Sequence, residues 1–272
     1  MAKYHVGFIG CGNMGSALVR AVASTVAPEE ILIADHIEDN TSRLQQLYGV
    51  SVAQNAIQIA RDAKYIFLGV KPQGLRVLLT ELAPVLANRH DRYILISMAA
   101  GTELATLADM IGIPDLPIIR ILPNTPASVG KGMTLYCCNA HVTKEEEQEA
   151  VYMLEAAGKV DALDETLIDA ACAVSGCGPA FVYMFIEAMA DGAVAAGLPR
   201  QKAMLYAVQT LIGASEMVLQ SGKHPGELKD AVCSPGGSTI QGVRTLEQGA
   251  FRATVIDAIS AAYVKTRELG KK

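Results

Sequence analysis

Tryptophan is absent and aromatic residues make up only 5% of the chain. Its cores must therefore be filled by Ala, Leu, Ile, Val and Met, which suits packed helices and short apolar strands. Cysteine is present without its usual patterns. The six thiols, at positions 11, 137, 138, 172, 177 and 233, show neither C-x-x-C spacing nor a partner set among the five scattered His. That argues against a metal site or a disulfide framework and leaves buried free thiols as the default. An excess of basic residues is missing too: the net charge is −5, which argues against a nucleic-acid or anionic-membrane surface. Met1-Ala2-Lys3-Tyr4 runs straight into an apolar strand pattern, leaving no room for a signal or transit peptide and giving the expectation of a cytoplasmic protein. With ~150 residues per domain as a soft guide, two domains are expected.

What is present begins at His5-Val6-Gly7-Phe8-Ile9, an apolar run that feeds into Gly10-Cys11-Gly12-Asn13-Met14-Gly15 and then a helical pattern. In this strand-turn-helix context Gly10 allows the tight turn, Gly12 lets backbone approach a diphosphate, and Gly15 lets helix pack on strand. A dinucleotide's diphosphate would lie on free amides at the helix start; the alternative is a glycine-rich turn that binds nothing. Pro28 marks the break before the second strand, Ile31 to Ala34. Asp35 closes that strand about 20 residues after Gly15, where a carboxylate can accept hydrogen bonds from a ribose and repel a 2′-phosphate. It can equally be a loop acid or a helix cap. His36 and Arg43 nearby could support a phosphate, so NADH and NADPH both stay open.

Strand and helix alternate through Val50 to Ala53, Ile57 to Arg61, and Tyr65 to Val70, the pattern of a parallel sheet. Lys71-Pro72-Gln73 follows at the carboxyl edge, where open α/β sheets bind ligands; Lys71 is either a solvated charge or a cofactor contact. Leu75 to Leu86 reads as a helix and Tyr93 to Met98 as a strand, followed by Ala99-Ala100-Gly101 and a helix from Thr102. Ile118 to Leu122 is a further strand. It ends in Pro123-Asn124-Thr125-Pro126-Ala127, whose Asn and Thr side chains could face the nicotinamide end of a dinucleotide. Met133 to Cys138 and Lys159 to Leu163 complete the strands, separated by a helix that Thr143 and Glu146 open with a capping box. The acids of that run read as a solvated face.

After residue 163 only helix-period segments follow, so the expected domains are 1–163 and 164–272. The charge-free run Ala170 to Ile186 is interrupted by Gly176, Gly178 and Pro179 and followed by Glu187 and Asp191. It reads as a buried helix or a subunit interface, not a membrane span. A helix from Gln201 to Gln220 follows. The stretch Asp230 to Gln241 then holds Ser234-Pro235-Gly236-Gly237-Ser238-Thr239, with Ser238 and Gln241 in capping-box register. It is either a second anion site, too short for a dinucleotide but suited to one carboxylate, or simply a well-capped helix.

Taken together, Gly10-Cys11-Gly12-Asn13-Met14-Gly15, Val70-Lys71-Pro72-Gln73, Asn124-Thr125-Pro126-Ala127, Ser175-Gly176-Cys177-Gly178-Pro179-Ala180 and above all Ser234-Pro235-Gly236-Gly237-Ser238-Thr239 resemble the pyrroline-5-carboxylate reductases over essentially the whole chain. The resemblance implies an α/β fold, with an N-terminal Rossmann-type, doubly wound parallel sheet followed by an all-α C-terminal domain that intertwines with a second subunit, often in larger assemblies of dimers. It implies NADPH or NADH as cofactor, contacted at Asn13, Met14, Asn55, Val70, Lys71 and the turn after Ser97 (Met98, Ala99); the Gly10 to Gly15 turn, Asp35, Pro72 and Asn124 are expected contacts from their positions at the strand ends. It implies a substrate, 1-pyrroline-5-carboxylate, held by Ser234, Gly236, Gly237, Ser238 and Thr239. Asp35 departs from the family, many of whose members carry a neutral or basic residue near that strand end and prefer NADPH.

The chemistry needs a hydride on carbon while the ring nitrogen carries or gains a proton. No strong base is required, so a site of hydroxyls and amides suffices, working by orientation and electrostatic preorganisation. Thr239 is the expected catalytic residue, presenting its hydroxyl to the ring nitrogen. One rival, a β-hydroxyacid dehydrogenase, needs a proton-accepting Lys early in the second domain; between Leu163 and Gln201 there is none. The other rival is a protein that senses a dinucleotide without turning it over, against which the second anion site argues.

Overall fold

The computed structural model describes residues 2–269. Twenty regular elements alternate and then become purely helical. β1 (Tyr4–Ile9), α1 (Asn13–Val22), β2 (Ile31–Ala34), α2 (Glu38–Tyr48) and β3 (Ser51–Val52) form the first half of the sheet. Pro28 sits in a short 3-10 turn, Pro28–Glu30, which feeds β2. α3 (Ala56–Asp62), β4 (Ala63–Leu68), α4 (Pro72–Ala87), β5 (Ile94–Ser97), α5 (Leu104–Ile111) and β6 (Ile118–Leu122) form the second half. β7 (Gly132–Cys138), α6 (Lys144–Glu155) and β8 (Gly158–Ala162) extend it.

The sheet order is β3-β2-β1-β4-β5-β6-β7-β8. β1 to β6 pair in parallel, so their carboxyl ends lie on one edge, and the order reverses between β1 and β4, the position of a ligand crevice. The sheet is the expected doubly wound parallel one through β6; beyond it β7 runs antiparallel to β6 and β8 returns parallel to β7. Only a short 3-10 turn, Thr125–Val129, links β6 to β7. That is too little chain for a parallel crossover.

Period-2 alternation divides the core between two faces. Val6, Phe8, Tyr65 and Phe67 point to the layer shared with α1, α2 and α6. Ile9, Ile66 and Leu68 point to the layer shared with α3, α4 and α5. Phe8 and Phe67, paired across β1 and β4, stack with ring centroids 4.4 Å apart. α6 begins with the expected capping box, Thr143 accepting from the Glu146 amide and Glu146 from the Thr143 amide. Its acids are not simply a solvated face. Glu146 is buried and bonded by Arg92 at 2.7 Å, while Glu149 holds Lys64 at 2.7 Å and His5 at 3.1 Å.

The chain divides into two compact units. One runs through Gly176 and takes in the chain again from Tyr263; the other is Cys177–Ala262. The first unit thus reaches past residue 163, because α7 (Glu165–Ser175) buries Ile168 and Ala173 completely and Ile168 joins the sheet's core. The run Ala170 to Ile186 is therefore two helices, α7 and α8 (Gly178–Ala195), broken at Gly176 and Cys177. The second unit also holds α9 (Arg200–Ser221), α10 (Pro225–Val232) and α11 (Ser238–Gln248), and α12 (Phe251–Leu269) is the last element among the described residues. α8 packs on α9 around Ala190, Ala203 and Ala207.

Candidate active site

At the β1–β4 seam the chain crosses itself backbone to backbone. The Gly10 amide donates to the Ala34 carbonyl at 2.8 Å and the Gly69 amide to that of Ile9 at 2.7 Å. Gly10 has φ +97°, and a Cβ placed there meets the Gly69 carbonyl. Gly12, two residues on, faces open space, with nothing within 4 Å of the point that a Cβ would occupy. It is the N-cap of α1 and supplies no side-chain cap, so the first amides of the helix, at Asn13 and Met14, point outward at its positive end. A groove of about 430 Å³ beside this helix start is lined by Asn13, Met14, Ser16, Arg20, Arg43 and Thr125 among others, with no carboxylate in its wall. An open glycine, uncapped amides and two guanidinium groups fit a diphosphate.

Asp35 bonds the backbone of its own turn and of the glycine turn. One carboxylate oxygen accepts the Cys11 amide at 2.5 Å and the other the Ile37 amide at 2.8 Å, while His36 lies 3.3 Å away. The side chain is only 3% exposed. Asp35 therefore braces the glycine turn from behind. Burial first, and then the Asp35 charge, push the Cys11 thiol up to about 12, so it stays protonated and unreactive at neutral pH. Arg43 donates to the Ser16 hydroxyl at 3.2 Å, and that hydroxyl donates to the Cys11 carbonyl at 2.6 Å.

The remaining expected contacts gather on the same edge. Asn55 caps α3, accepting the Gln58 amide at 2.9 Å. Val70, Lys71 and Pro72 follow β4, with Lys71 exposed at the start of α4. Met98 and Ala99 follow β5, with Ala99 buried. Asn124 follows β6, but both ends of its carboxamide are committed: it donates to the Ser175 carbonyl at 2.8 Å and accepts the Met133 amide at 2.9 Å. These two bonds hold the turn.

In the second unit, Ser234 to Gly237 forms a turn closed by the Gly237 amide on the Ser234 carbonyl at 3.0 Å, with Gly236 at φ +70°. α11 starts at Ser238 with Gly237 as its N-cap and no side-chain cap. The expected capping box between Ser238 and Gln241 does not form, because Ser238 is already the first helical residue. The helix start is open, and among the described residues the hydroxyls of Ser234, Ser238 and Thr239 make no hydrogen bond. Among the described residues, no group of three or more His, Cys, Asp or Glu is placed to hold a metal ion.

Sequence reasoning missed Arg120. It lies in the middle of β6, is 2% exposed, and pairs with Glu165 at 3.0 Å and Asp169 at 3.4 Å of α7. The signal was a lone Arg inside the apolar run Ile118-Ile119-Arg120-Ile121-Leu122.

Residues 5–101 match the family model described as NADP oxidoreductase, coenzyme F420-dependent, and residues 165–269 match pyrroline-5-carboxylate reductase dimerisation. The chain is 41% identical over 268 residues to pyrroline-5-carboxylate reductase of Escherichia coli K12, covering 98% of each chain. It superposes on the crystal structure of Plasmodium falciparum pyrroline carboxylate reductase with NADP bound at TM-score 0.88, with 33% identity and 99% of each chain covered. The enzyme of Coxiella burnetii gives TM-score 0.89 at 31% identity, with 98% of each chain covered. With relatives this similar along nearly its whole length, a glycine turn at the sheet's crevice and a helical region that matches a dimerisation model, the chain belongs to the pyrroline-5-carboxylate reductase family of NAD(P)H-dependent oxidoreductases.

Proposed function

We propose that this protein reduces 1-pyrroline-5-carboxylate to L-proline, with the cofactor's diphosphate on the Gly10 to Gly15 turn and the substrate carboxylate on the Gly236 to Thr239 amides. The observation that carries the reading is the presence of two unlike open helix starts. α1 has a glycine turn long enough for a diphosphate; α11 has one short turn with three unengaged hydroxyls around it. A cyclic imine acid has one carboxylate and one ring nitrogen, which is what the second set can hold.

NAD(P)H supplies the hydride. The chain's own part is to bind and orient. The α11 amides fix the carboxylate, and the Thr239 hydroxyl meets the ring nitrogen, whose proton arrives from solvent or on the substrate. The turn at Met98 and Ala99 after β5 is assigned to the nicotinamide end of the cofactor. The net charge of −5 supports a small-molecule enzyme without nucleic-acid partners, and we place it in the cytoplasm. The stretch Glu165–Ala195 is long and apolar enough to cross a membrane by composition. Its acids Glu165, Asp169, Glu187 and Asp191, its break at Gly176, and the dimerisation match over it support a second subunit as the partner of its apolar face.

Turnover of pyrroline-5-carboxylate with NADH and NADPH in parallel tests the reading; cofactor binding without turnover would favour the sensor alternative. Thr239→Ala should lower kcat/KM for pyrroline-5-carboxylate by about 10- to 100-fold, as for loss of one hydrogen bond of ~1.5–3 kcal/mol. Cofactor affinity should hardly move, and Thr239→Ser should keep most activity. Activity within twofold of the parent in Thr239→Ala would leave this hydroxyl without a role.

A further inference from the structure

A buried charge in the middle of a strand is costly unless its partners are fixed, so the placement of Arg120 calls for a cause. Its guanidinium reaches across to α7, where Glu165 Oε1 accepts from Nη1 at 3.0 Å and Asp169 from Nη2 at 3.4 Å. Its Nε, fully buried, has no partner. The geometry is thus held by the α7 carboxylates alone. The same Glu165 Oε1 also accepts the Leu104 amide at 2.8 Å. Leu104 is the first residue of α5, and Glu103, the residue in the N-cap position, offers no side-chain cap. α7 therefore supplies from a distance the cap that α5 lacks locally.

The other end of α7 is fixed as well. Its last residue, Ser175, accepts the Asn124 carboxamide at 2.8 Å, and the same carboxamide takes the Met133 amide at 2.9 Å. One helix is thus bonded at its first residue to the end of the 98–103 turn and at its last residue to the 123–127 turn. Arg120, paired across the sheet with Ser97, sits between them. These are the two turns that follow β5 and β6 on the crevice edge. Apolar packing alone allows small slips of a helix, whereas directional bonds at both ends fix where the turn backbones lie.

We propose that Glu165 is a positioning residue for cofactor binding: through its bonds to the Leu104 amide and Arg120, α7 holds the 98–103 turn in the conformation that receives the nicotinamide end. This rests on the reading that the 98–103 turn contacts the cofactor. Glu165→Asp keeps the charge but withdraws the carboxylate by one methylene, so it cannot serve both partners. Glu165→Gln keeps length and an acceptor for Leu104 while removing the charge facing Arg120.

The test uses the full-length enzyme. Glu165→Asp should raise both the Kd and the KM for NADPH about 5- to 10-fold, with KM for pyrroline-5-carboxylate and the oligomeric state by light scattering unchanged. Glu165→Gln should lower the melting temperature yet keep the NADPH Kd within twofold. A Kd within twofold in Glu165→Asp, or equal losses in both variants, overturns the proposal. Hydrogen exchange on the parent protein covers the case in which the variants fail to fold. There, the Leu104 amide should exchange slowly; exchange at the rate of an uncapped first-turn amide overturns the proposal and leaves the site reading intact. If NADPH fails to slow the 98–103 amides of the parent, the site reading falls and the proposal with it.

Discussion

The sheet unit and the helical unit use the same kinds of residue in opposite ways. In the first, Val, Ile, Leu and Phe of the five parallel strands β1, β2, β4, β5 and β6 are buried on both faces of the sheet, with Phe8, Ile33, Ile66 and Phe67 wholly inaccessible. In the second, the residues buried in the core are three alanines, while Met184, Leu205, Ile212 and Leu219 are 70%, 62%, 56% and 75% exposed in the single chain. Scattered exposed leucines are ordinary, but an outward-facing array of this size in a small helical unit marks a surface that is covered in use. One unit carries its own core; the other matches a dimerisation model and leaves large apolar side chains uncovered in the single chain.

The sharpest way to break that contrast is to remove one large side chain from each unit. Phe67→Ala should cost about 3–5 kcal/mol, seen in urea unfolding at any protein concentration. Ile212→Asp should leave the unfolding of the sheet unit alone and instead shift the enzyme to smaller species in light scattering. It should also make the melting of the helical unit depend on protein concentration. A monomeric parent of full activity at micromolar concentration would end the comparison.

A smaller effect is expected at Asp35, which binds backbone at the crevice edge. Asn offers one acceptor where two amides now bond, leaving a donor unmatched. Asp35→Asn should therefore cost about 1–3 kcal/mol of stability and weaken NADH and NADPH alike. Their ratio of kcat/KM should change less than threefold; a tenfold move toward NADPH would restore a direct contact between Asp35 and the ribose.

The smallest effect lies at the far edge of the sheet. Hydrogen bonding from Arg92, the largest cause, holds the Glu146 carboxyl below its ordinary value of 4.5. A carboxyl with a depressed folded-state pKa adds stability above its unfolded value, and that stability fades as pH falls through the folded one. Glu146→Gln should accordingly lose about 1 kcal/mol at pH 7, and the gap to the parent should close as the pH drops below about 4.5. A gap that persists at pH 3 would assign the loss to packing.

Much of this was written legibly. Apolar runs such as Ile31 to Ala34 and Ile94 to Ser97, each ending in a turn, specify buried parallel strands, and Gly176, Gly178 and Pro179 mark the break between α7 and α8. The direction of β7 was not legible, since Met133 to Cys138 has the same apolar character as its neighbours and only the length of the β6–β7 link decides. Nor was the inward turn of Asp35, because an acid at a strand end carries no mark of which amides it will meet. Thr239 was placed at a helix start correctly, yet the absence of a cap on α11 depended on a one-residue shift in where the helix begins. Arg120 was visible only as an anomaly, its partners lying 45 and 49 residues away.

The backbone crossing of Gly10 and Gly69 has a consequence for how this sequence can vary. A Cβ on Gly10 meets the Gly69 carbonyl, and one on Gly69 meets the carbonyl of Gly10. Each position therefore vetoes a side chain at the other, and replacing either one alone wedges β1 from β4 at the floor of the crevice. No order of single substitutions relieves this, because the obstruction on each side is main chain, which mutation cannot trim. The two turns behave as a single inherited character, and any remodelling of cofactor choice must be sought in the residues around this seam instead of in the seam itself.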